Sequence, residues 1–444
     1  MQYKIFWCKV NKYYTDKWLN SDYMKDKQGI FIASCVVTDN AKRKWIKFVK
    51  DIFKNWELKE NESIFISWCW AFKNWEAQDD FFDLYPDLAE YKWRIEILWE
   101  DPEEKSFEWK KEVKKLDLSK LKNKFKNTEI YTKKFVLIQG WCDSFCSFCL
   151  TVKKRWRHYF RAKEDIAEEI EEFANNWWKE VVLTWINLSA WGLDTTNPDL
   201  GRPVWKIEEV VSNFSELLEY LLENTKIRRL RISSLWPEFV DEKVLEIFKN
   251  KRIYPHFHFS VQSGSSKVLK NMMRHYTWEF LKDILLRLRR IKREDNIEIS
   301  IWADVIVGFP GETEEDFKQT LDLVTECQIT KVHAFPFSGH KLWENVPAWF
   351  YTEQVSDKIK KDRMNKILEL SDKVRNNYIE ENIWKEFEVL IEQISSHLVS
   401  PEGEEQKVSW KWWTENYIEA SQENIEIISW EIKRNEIVIG KLIK

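Results

Sequence analysis

Residues 141–149 read Trp141-Cys142-Asp143-Ser144-Phe145-Cys146-Ser147-Phe148-Cys149, and this segment decides the fold. It closely follows the apolar run Phe135-Val136-Leu137-Ile138, which predicts a strand with a cysteine-bearing turn at its end. Three thiols at i, i+4 and i+7 can bind three irons of a 4Fe–4S cluster and leave the fourth iron open. The same spacing also suits one face of a helix, on which cysteine would be a small buried hydrophobe.

Length and charge bound the class of protein. The chain has 444 residues, enough for about three domains of ordinary size. Its net charge is −4, so any contact with nucleic acid must come from local basic patches. No secretory leader follows Met1, and no apolar run approaches the ~20 residues of a membrane span. These features predict a cytoplasmic protein without a membrane contact.

The seven cysteines favour metal binding over disulfides, because disulfides are rare in a reducing compartment. Cys327 is the exception, since it lies in the helical run 321–328 and is expected to be a core residue.

Tryptophan and glycine occur in abnormal numbers. The chain has 27 Trp but only 10 Gly, whereas glycine usually makes up about 7% of a protein. Trp7, Trp68 and Trp141 stand beside cysteine at predicted strand ends, and Asn55-Trp56 occupies a turn where Asn-Gly is expected. We interpret the sequence as that of a gene in which UGA encodes glycine, translated with UGA as tryptophan. A truly Trp-rich protein is the alternative.

Residues 1 to about 100 repeat one arrangement three times. A short apolar strand leads each time into a cysteine, at Cys8, Cys35 and Cys69, with helical segments between the strands. This alternation predicts a doubly wound parallel sheet, in which the carboxyl ends of the strands share one edge. The three thiols can hold a second cluster there, again with one free iron. Three separate buried cysteines are the alternative.

Residues 131 to about 350 alternate strand and helix patterns. The six candidate strands cover 135–139, 181–186, 229–233, 256–261, 297–307 and 331–337. Six consecutive βα units predict a partial barrel with its site at the carboxyl ends of the strands. A charged helical stretch follows at 358–376, and short alternating strands from residue 384 onward predict a small β-barrel.

The cysteine blocks carry a family resemblance. Three of them resemble the cysteine blocks of the methylthiotransferases when Trp7 and Trp68 are read as Gly: Phe6-Trp7-Cys8-Lys9-Val10-Asn11, Ala33-Ser34-Cys35-Val36-Val37-Thr38 and Ser67-Trp68-Cys69-Trp70-Ala71. The segment 141–149 resembles the Cys-x-x-x-Cys-x-x-Cys signature of radical S-adenosylmethionine (SAM) enzymes. The resemblance covers nearly the whole chain. It implies a methylthiotransferase domain (1–105), a charged linker (106–130), a radical SAM barrel (131–355), a helical connector (356–383) and a TRAM-like β-barrel (384–444).

The resemblance also implies two 4Fe–4S clusters and SAM as cofactors. Cys142, Cys146 and Cys149 would bind the catalytic cluster, whose open iron chelates SAM, and Cys8, Cys35 and Cys69 would bind the second. The other residues expected to bind the cofactor are Asn187, Ser234, Gln262, Arg161, Val305 and Gly308.

Two further segments match the family. The run 304–313 resembles its Val-Gly-Phe-Pro-Gly-Glu-Thr element, in which glycines allow close approach to SAM. Glu312 is expected at a helix start, with a direct part in the chemistry as the alternative. The basic segment 153–161 can meet the SAM carboxylate or RNA phosphates, with an exposed basic turn as the alternative. The residues predicted to contact RNA are Arg155, Arg157, Trp413 and Tyr417, although the two aromatic residues also suit a barrel core.

The activity implied by the resemblance is the transfer of a methylthio group to C2 of a modified adenosine next to the tRNA anticodon. The form Cys8-Lys9-Val10-Asn11 looks most like the branch acting on N6-threonylcarbamoyladenosine. The isopentenyladenosine branch and the ribosomal-protein branch are the alternatives. The partners implied are tRNA, a reductant protein such as flavodoxin or ferredoxin, and a sulfur donor, with the protein acting as a monomer. A catalytically inactive RNA-binding relative is the rival if the Trp residues at glycine positions are real.

Overall fold

The computed structural model describes residues 2–6, 9–34, 39–55, 58–67, 81–83, 85–98, 132–140, 142, 144–150, 159–184, 191–192, 214–339, 345–396, 408–421, 423–428 and 435–444. The chain divides into two compact units. The first comprises Met1–Ile130, Cys149–Trp156 and Ser338–Val346, and the second comprises Tyr131–Phe148, Arg157–Phe337 and Pro347–Lys444. The expected charged linker, 106–130, lies outside the described residues.

The first unit contains the predicted parallel sheet. Its four strands are β1 (Gln2–Ile5), β2 (Gly29–Ala33), β3 (Ser63–Ser67) and β4 (Ile95–Leu98), in the order β1-β2-β3-β4. The connections are α1 (Lys9–Leu19), α2 (Asp39–Lys54) and the 3-10 helices Asp22–Met24 and Pro86–Arg94. Strand β2 is buried along its whole length, because both faces of a central parallel strand are covered. Among the described strands the order follows the sequence without reversal.

The second unit contains all six strands predicted for the barrel. Its strands are β5 (Lys134–Leu137), β6 (Gln139–Gly140), β7 (Tyr159–Phe160), β8 (Glu180–Thr184), β9 (Arg229–Ile232), β10 (Ser234–Leu235), β11 (His256–Gln262), β12 (Ser300–Val307) and β13 (Lys331–Pro336). They form two parallel sheets, β5-β8-β9 and β10-β11-β12-β13, and a short antiparallel pair, β6-β7. The cysteine segment lies between β6 and β7, which places it after the first barrel strand, as predicted.

Helices connect the barrel strands. They are α3 (Lys163–Asn175), α4 (Phe214–Asn224), α5 (Glu242–Ile247), α6 (Ser266–Asn271), α7 (Trp278–Arg289), α8 (Glu314–Glu326) and α9 (Asp357–Glu380), with 3-10 helices at Pro237–Phe239 and Pro347–Phe350. Side-chain caps fix where several of them begin, and Thr313 and Asp316 form a reciprocal capping box at α8. The predicted charged helix is α9. Among the described helices, none combines the length and apolar character that crossing a membrane requires.

The carboxyl-terminal strands form an antiparallel sheet in the order β16-β15-β14-β18-β17. They are β14 (Glu386–Ser396), β15 (Val408–Thr414), β16 (Glu419–Ser421), β17 (Ile425–Ile427) and β18 (Ile437–Leu442). This agrees with the small β-barrel expected there. Strand β15 was not predicted, although Val408, Trp410 and Trp412 alternate with polar residues as in a strand.

Two tryptophans adopt a backbone conformation that favours glycine. Trp177 has φ +87° and Trp384 has φ +72°, in the left-handed region that costs most residues about 1–2 kcal/mol. Trp177 directly follows Asn176, the C-cap of α3, and the Trp178 amide donates to the Phe173 carbonyl at 3.1 Å. This pattern is a Schellman motif, whose left-handed position is usually glycine.

The recoding interpretation therefore makes a sharp prediction at these two positions. Peptide mass spectrometry of the protein isolated from its native cells is expected to show glycine at residues 177 and 384, because glycine adopts this backbone without strain. The peptides covering positions 68 and 141 are expected to show glycine as well. Tryptophan in all four peptides would end the interpretation.

Candidate active site

The cysteine segment is not helical. Among its described residues, 142 and 144–150, the chain is irregular with a turn at Ser147-Phe148. Phe145 has φ +46°, which a helix does not contain. The helix-face interpretation of the i, i+4, i+7 spacing is therefore wrong.

The three thiols suit an iron–sulfur cluster. Cys142, Cys146 and Cys149 are free of disulfide bonds. Cys142 and Cys146 are only 8% and 6% exposed, and Cys149 is half-buried. Three cysteine thiols in a short irregular segment are the donor set that holds three irons of a cubane. The residues present thus fit the cofactor that the sequence predicts.

Hydrogen bonds from Ser147 anchor the segment. Its backbone amide donates to the Met272 carbonyl at 3.2 Å, and its hydroxyl donates to the Asn271 carbonyl at 2.8 Å. The Ala348 amide donates to the Ser147 carbonyl at 2.9 Å. Ser147 is completely buried, so these bonds satisfy polar groups that water does not reach. They hold the middle of the segment beside the end of α6.

Arg274 contacts one of the cysteines. Its Nη1 donates to Cys146 Sγ at 3.6 Å, its Nη2 donates to the Ser260 carbonyl at 2.8 Å, and its Nε donates to the Tyr276 hydroxyl at 3.0 Å. The guanidinium also lies 3.6 Å from the centre of the Trp236 ring. This guanidinium is buried and held rigidly by three kinds of contact.

The charge on Arg274 bears on the chemistry of Cys146. Burial would lower the pKa of Arg274, but Tyr276, Cys146 and Glu238 together raise it above its ordinary value. The side chain therefore stays positive. A fixed positive charge stabilises negative sulfur, which is the form of cysteine that binds iron. Arg274 is not among the site residues predicted from the sequence, because nothing in the run 272–277 shows that its arginine is buried.

The turn after β11 is hydrogen-bonded to α8. The Gly264 amide donates to Thr320 Oγ1 at 2.9 Å, and the Ser265 hydroxyl donates to Asp316 Oδ1 at 2.7 Å. A Cβ at Gly264 would lie only 2.6 Å from the Gln319 carbonyl oxygen, so only glycine fits. Gln262, at the start of this turn, has φ +66° and is 9% exposed. Its role in cofactor binding stays a prediction.

At the end of β12, the backbone rather than the Val305 side chain is available to a bound cofactor. Val305 is completely buried, and its side chain lies on the face opposite that of Asp304, because side chains alternate along a strand. Gly308 follows the strand with φ +69°, and its amide donates to Glu312 Oε2 at 2.6 Å. The predicted contact of this segment with SAM can therefore involve the backbone of Val305 but not its buried side chain.

Glu312 forms a buried ion pair. Its Oε2 accepts from Arg363 Nη1 at 2.6 Å, and the two side chains are 1% and 5% exposed. Burial raises the pKa of Glu312 to about 7, although the Gly308 amide and Arg363 both stabilise the carboxylate. Helix α8 begins at Glu314 after the Thr313 cap, so Glu312 precedes the helix. The contacts give it a structural role in joining this loop to α9.

Two other predicted residues have partners within the chain. Arg161 Nη1 donates to the Leu137 carbonyl at 2.9 Å and pairs with Glu169 at 2.5 Å, which fixes the guanidinium beside α3. Ser234 lies on β10 and pairs with His258 in the sheet register. The predicted contacts of Arg161 and Ser234 with SAM stay predictions.

The two aromatic residues predicted to contact RNA contact each other. The rings of Trp413 and Tyr417 stack at 4.5 Å between centroids, and Tyr417 also stacks on His256 at 4.1 Å. The Tyr417 hydroxyl accepts from Arg231 Nη1 at 2.7 Å. These contacts join the carboxyl-terminal sheet to the barrel strands, and both rings are half-buried and lie outside the buried core of that sheet. RNA binding by these rings stays a prediction.

The remaining predicted site residues lie outside the described residues. They are Cys8, Cys35, Cys69, Asn187, Arg155 and Arg157. The strands before the three cysteines are described, and they end in register: Ile5 pairs with Ala33, and Ala33 pairs with Ser67. Each cysteine follows its strand by two or three residues in the sequence. The second cluster stays a prediction that this alignment supports.

Comparison with known proteins defines the class. Residues 136–324 match the radical SAM superfamily, whose members use a 4Fe–4S cluster and SAM. The threonylcarbamoyladenosine tRNA methylthiotransferase MtaB of Thermotoga maritima is 29% identical over 88% of this chain and 86% of its own length. The corresponding MtaB of Bacillus subtilis is 30% identical over 70% of this chain and 62% of its own length. The tRNA-2-methylthio-N(6)-dimethylallyladenosine synthase of Clostridium tetani is 37% identical over 54% of this chain.

The chain belongs to the radical SAM methylthiotransferase family. The family prediction made from the cysteine blocks is thereby confirmed. The chain spans 49% of the Clostridium tetani relative and 62% of the Bacillus subtilis relative, less than two thirds of either.

Proposed function

We propose that this protein is a tRNA methylthiotransferase that installs a 2-methylthio group on N6-threonylcarbamoyladenosine next to the anticodon. The observation that carries the proposal is the set of three cysteines, none of them in a disulfide, in a non-helical segment, with Arg274 at 3.6 Å from Cys146. The long alignment with the Thermotoga maritima relative supports the choice of substrate, since it covers 88% of the chain.

The chain's own residues would hold and shield the reactive groups. Cys142, Cys146 and Cys149 would bind one 4Fe–4S cluster and leave its fourth iron to SAM, and Cys8, Cys35 and Cys69 would bind the second. When bound, the cluster and SAM supply the one-electron chemistry that replaces a hydrogen on an adenine ring, which acid–base side chains cannot do. Arg274 would balance negative charge at the first cluster, and the burial of Cys142 and Cys146 keeps water away.

The proposal requires partners that the cofactors imply. They are tRNA as substrate, a reductant protein such as flavodoxin or ferredoxin, and a sulfur donor. We propose that the protein acts as a monomer in the cytoplasm, where tRNA and these partners meet.

A second substrate is favoured by a specific observation. The Clostridium tetani relative, named for dimethylallyladenosine, has the higher identity, 37% over 243 residues. Isopentenyladenosine, another name for that nucleoside, is therefore the alternative substrate.

The rival hypothesis, a relative that has lost catalysis, requires that tryptophan rather than glycine is present at the glycine positions. Trp302 lies 4.9 Å from Tyr417 and 5.2 Å from His333, between ring centroids, so glycine there would open space inside the barrel.

Nucleoside analysis of tRNA tests the proposal. The gene, with glycine codons at its UGA positions, is expressed in a bacterial strain that lacks its own methylthiotransferases. We expect 2-methylthio-N6-threonylcarbamoyladenosine to reappear in the hydrolysed tRNA. The gene carrying Cys146→Ala serves as the matched control and is expected to restore nothing. Reappearance of the dimethylallyl product instead would support the second substrate, and absence of both products would overturn the enzyme proposal.

A further inference from the structure

Three chemically reactive side chains meet on neighbouring barrel strands. His258 lies on β11, Asp304 on β12 and His333 on β13. Asp304 pairs directly with His333 in the parallel register, whereas His258 pairs with Trp302, two residues before Asp304. Because side chains alternate along a strand, Asp304 lies on the same face as Trp302 and opposite the buried Ala303 and Val305. The topology thus brings an imidazole, a carboxylate and a second imidazole into one cluster.

The distances in this cluster suit a single metal ion. His258 Nε2 lies 2.9 Å from Asp304 Oδ1, and His333 Nδ1 lies 3.7 Å from the same oxygen. One ligand atom from each residue lies within 4.8 Å of the other two. Bonds of about 2.0–2.2 Å in tetrahedral geometry place ligand atoms roughly 3.4 Å apart, so only small side-chain rotations are needed.

The surroundings allow an ion to enter. The side chains of Asp304 and His333 are 26% and 31% exposed, while that of His258 is 9% exposed. Without a metal, His258 Nε2 lies within hydrogen-bond distance of Asp304 Oδ1, whereas His333 Nδ1, at 3.7 Å, is too far away for a hydrogen bond. A metal ion would take the place of the proton between His258 and Asp304, as it does at other histidine sites.

We propose that His258, Asp304 and His333 bind one divalent first-row metal ion. Two imidazoles and one carboxylate suit Mn²⁺, Fe²⁺ or Zn²⁺. This donor set differs from the soft thiolates of the six cluster cysteines, which suit iron–sulfur clusters. Three protein ligands leave at least one coordination position for water or a substrate oxygen, as in metal sites that take part in chemistry. The three proposed ligands are different residues from the six cluster cysteines, and the proposal does not depend on the tRNA substrate.

Manganese titration of the holoprotein tests the site. The probe is Mn²⁺, because it prefers oxygen and nitrogen ligands and the cluster thiols are already occupied by iron. Electron paramagnetic resonance measures the Mn²⁺ that stays free in solution, and the decrease in that signal is expected to correspond to one bound ion per chain. Asp304→Asn, His258→Gln and His333→Gln are each expected to weaken binding by at least about tenfold. Asp372→Asn is the matched control and is expected to leave Mn²⁺ binding unchanged. It removes a 66% exposed carboxylate that pairs with Lys331, a residue on the same strand as His333.

A spectroscopic signature keeps the test independent of how the variants fold. Electron spin echo modulation of bound Mn²⁺ is expected to show two directly coordinated nitrogens in the wild-type protein and one in His333→Gln. Wild-type protein that binds no Mn²⁺, or binds it without coordinated nitrogen, would leave only a hydrogen-bonded His–Asp–His cluster and overturn the proposal. Unchanged affinity in folded Asp304→Asn would do the same.

Discussion

Replacing Cys146 with alanine is expected to lower the iron content of the anaerobically reconstituted protein from about eight atoms per chain to about four. Each cubane contains four irons, and the two thiols that remain in the segment cannot retain one against dissociation. Cys146 is also the thiol beside Arg274, so the variant removes the sulfur whose negative charge the guanidinium stabilises. Iron analysis and the visible absorption spectrum measure the loss, and SAM cleavage to 5′-deoxyadenosine is expected to fall to background.

Cys327→Ala is the matched control for this experiment. Cys327 is completely buried at the end of α8, and burial raises the pKa of its thiol to about 12. A thiol that stays protonated does not bind iron. The control is therefore expected to keep about eight irons and full SAM cleavage. Equal iron content in Cys146→Ala and Cys327→Ala would show that the segment 142–149 does not hold a cluster.

The barrel strands were predictable because their signal is local. Each is a short segment in which apolar residues are continuous or alternate with polar ones, and the structure places strands at all six predicted positions. The cysteine segment was predictable for the same reason, since its spacing is read within nine residues. The same spacing also allowed a helix face. Only the structure excludes that alternative, because it shows the positive φ of Phe145.

The residues that the sequence did not reveal act through distant partners. Arg274 is 128 residues from Cys146, and Arg363 is 51 residues from Glu312. His258 and Asp304 are 46 residues apart and meet only because β11 and β12 are neighbours. Pattern and propensity describe windows of about ten to twenty residues, so they cannot show which charged side chain is buried or which partner it meets.

The two tryptophans with positive φ support the interpretation that UGA encodes glycine, and they do so with information that the sequence alone does not contain. An unusual residue count shows that something is abnormal, but it does not say which positions are affected. The Schellman motif at Trp177 requires a left-handed residue at that point of the chain. It therefore identifies a single position at which glycine is expected from backbone geometry.

The ion pair between Glu312 and Arg363 is expected to have the largest effect on local stability. Glu312→Leu would leave the Arg363 guanidinium buried without its main acceptor, and arginine cannot become neutral by losing its proton. Removing one partner of a buried pair costs about 3–5 kcal/mol. Amide hydrogen exchange, followed by mass spectrometry on peptides from α8 and α9, is therefore expected to accelerate by about a hundredfold or more.

Three further variants test the physical cause. Arg363→Leu is expected to cost less than Glu312→Leu, because the pKa of Glu312 is already about 7 and the carboxyl can bind a proton when its partner is lost. The double variant is expected to recover most of the loss, since an apolar pair replaces a buried ion pair at little cost. Glu314→Ala removes a carboxylate that pairs with both Lys366 and Arg363, but because this carboxylate is 65% exposed the change in stability is expected to stay below about 1 kcal/mol. If Glu312→Leu and Glu314→Ala exchange at the same rate, burial of the pair does not govern this part of the fold.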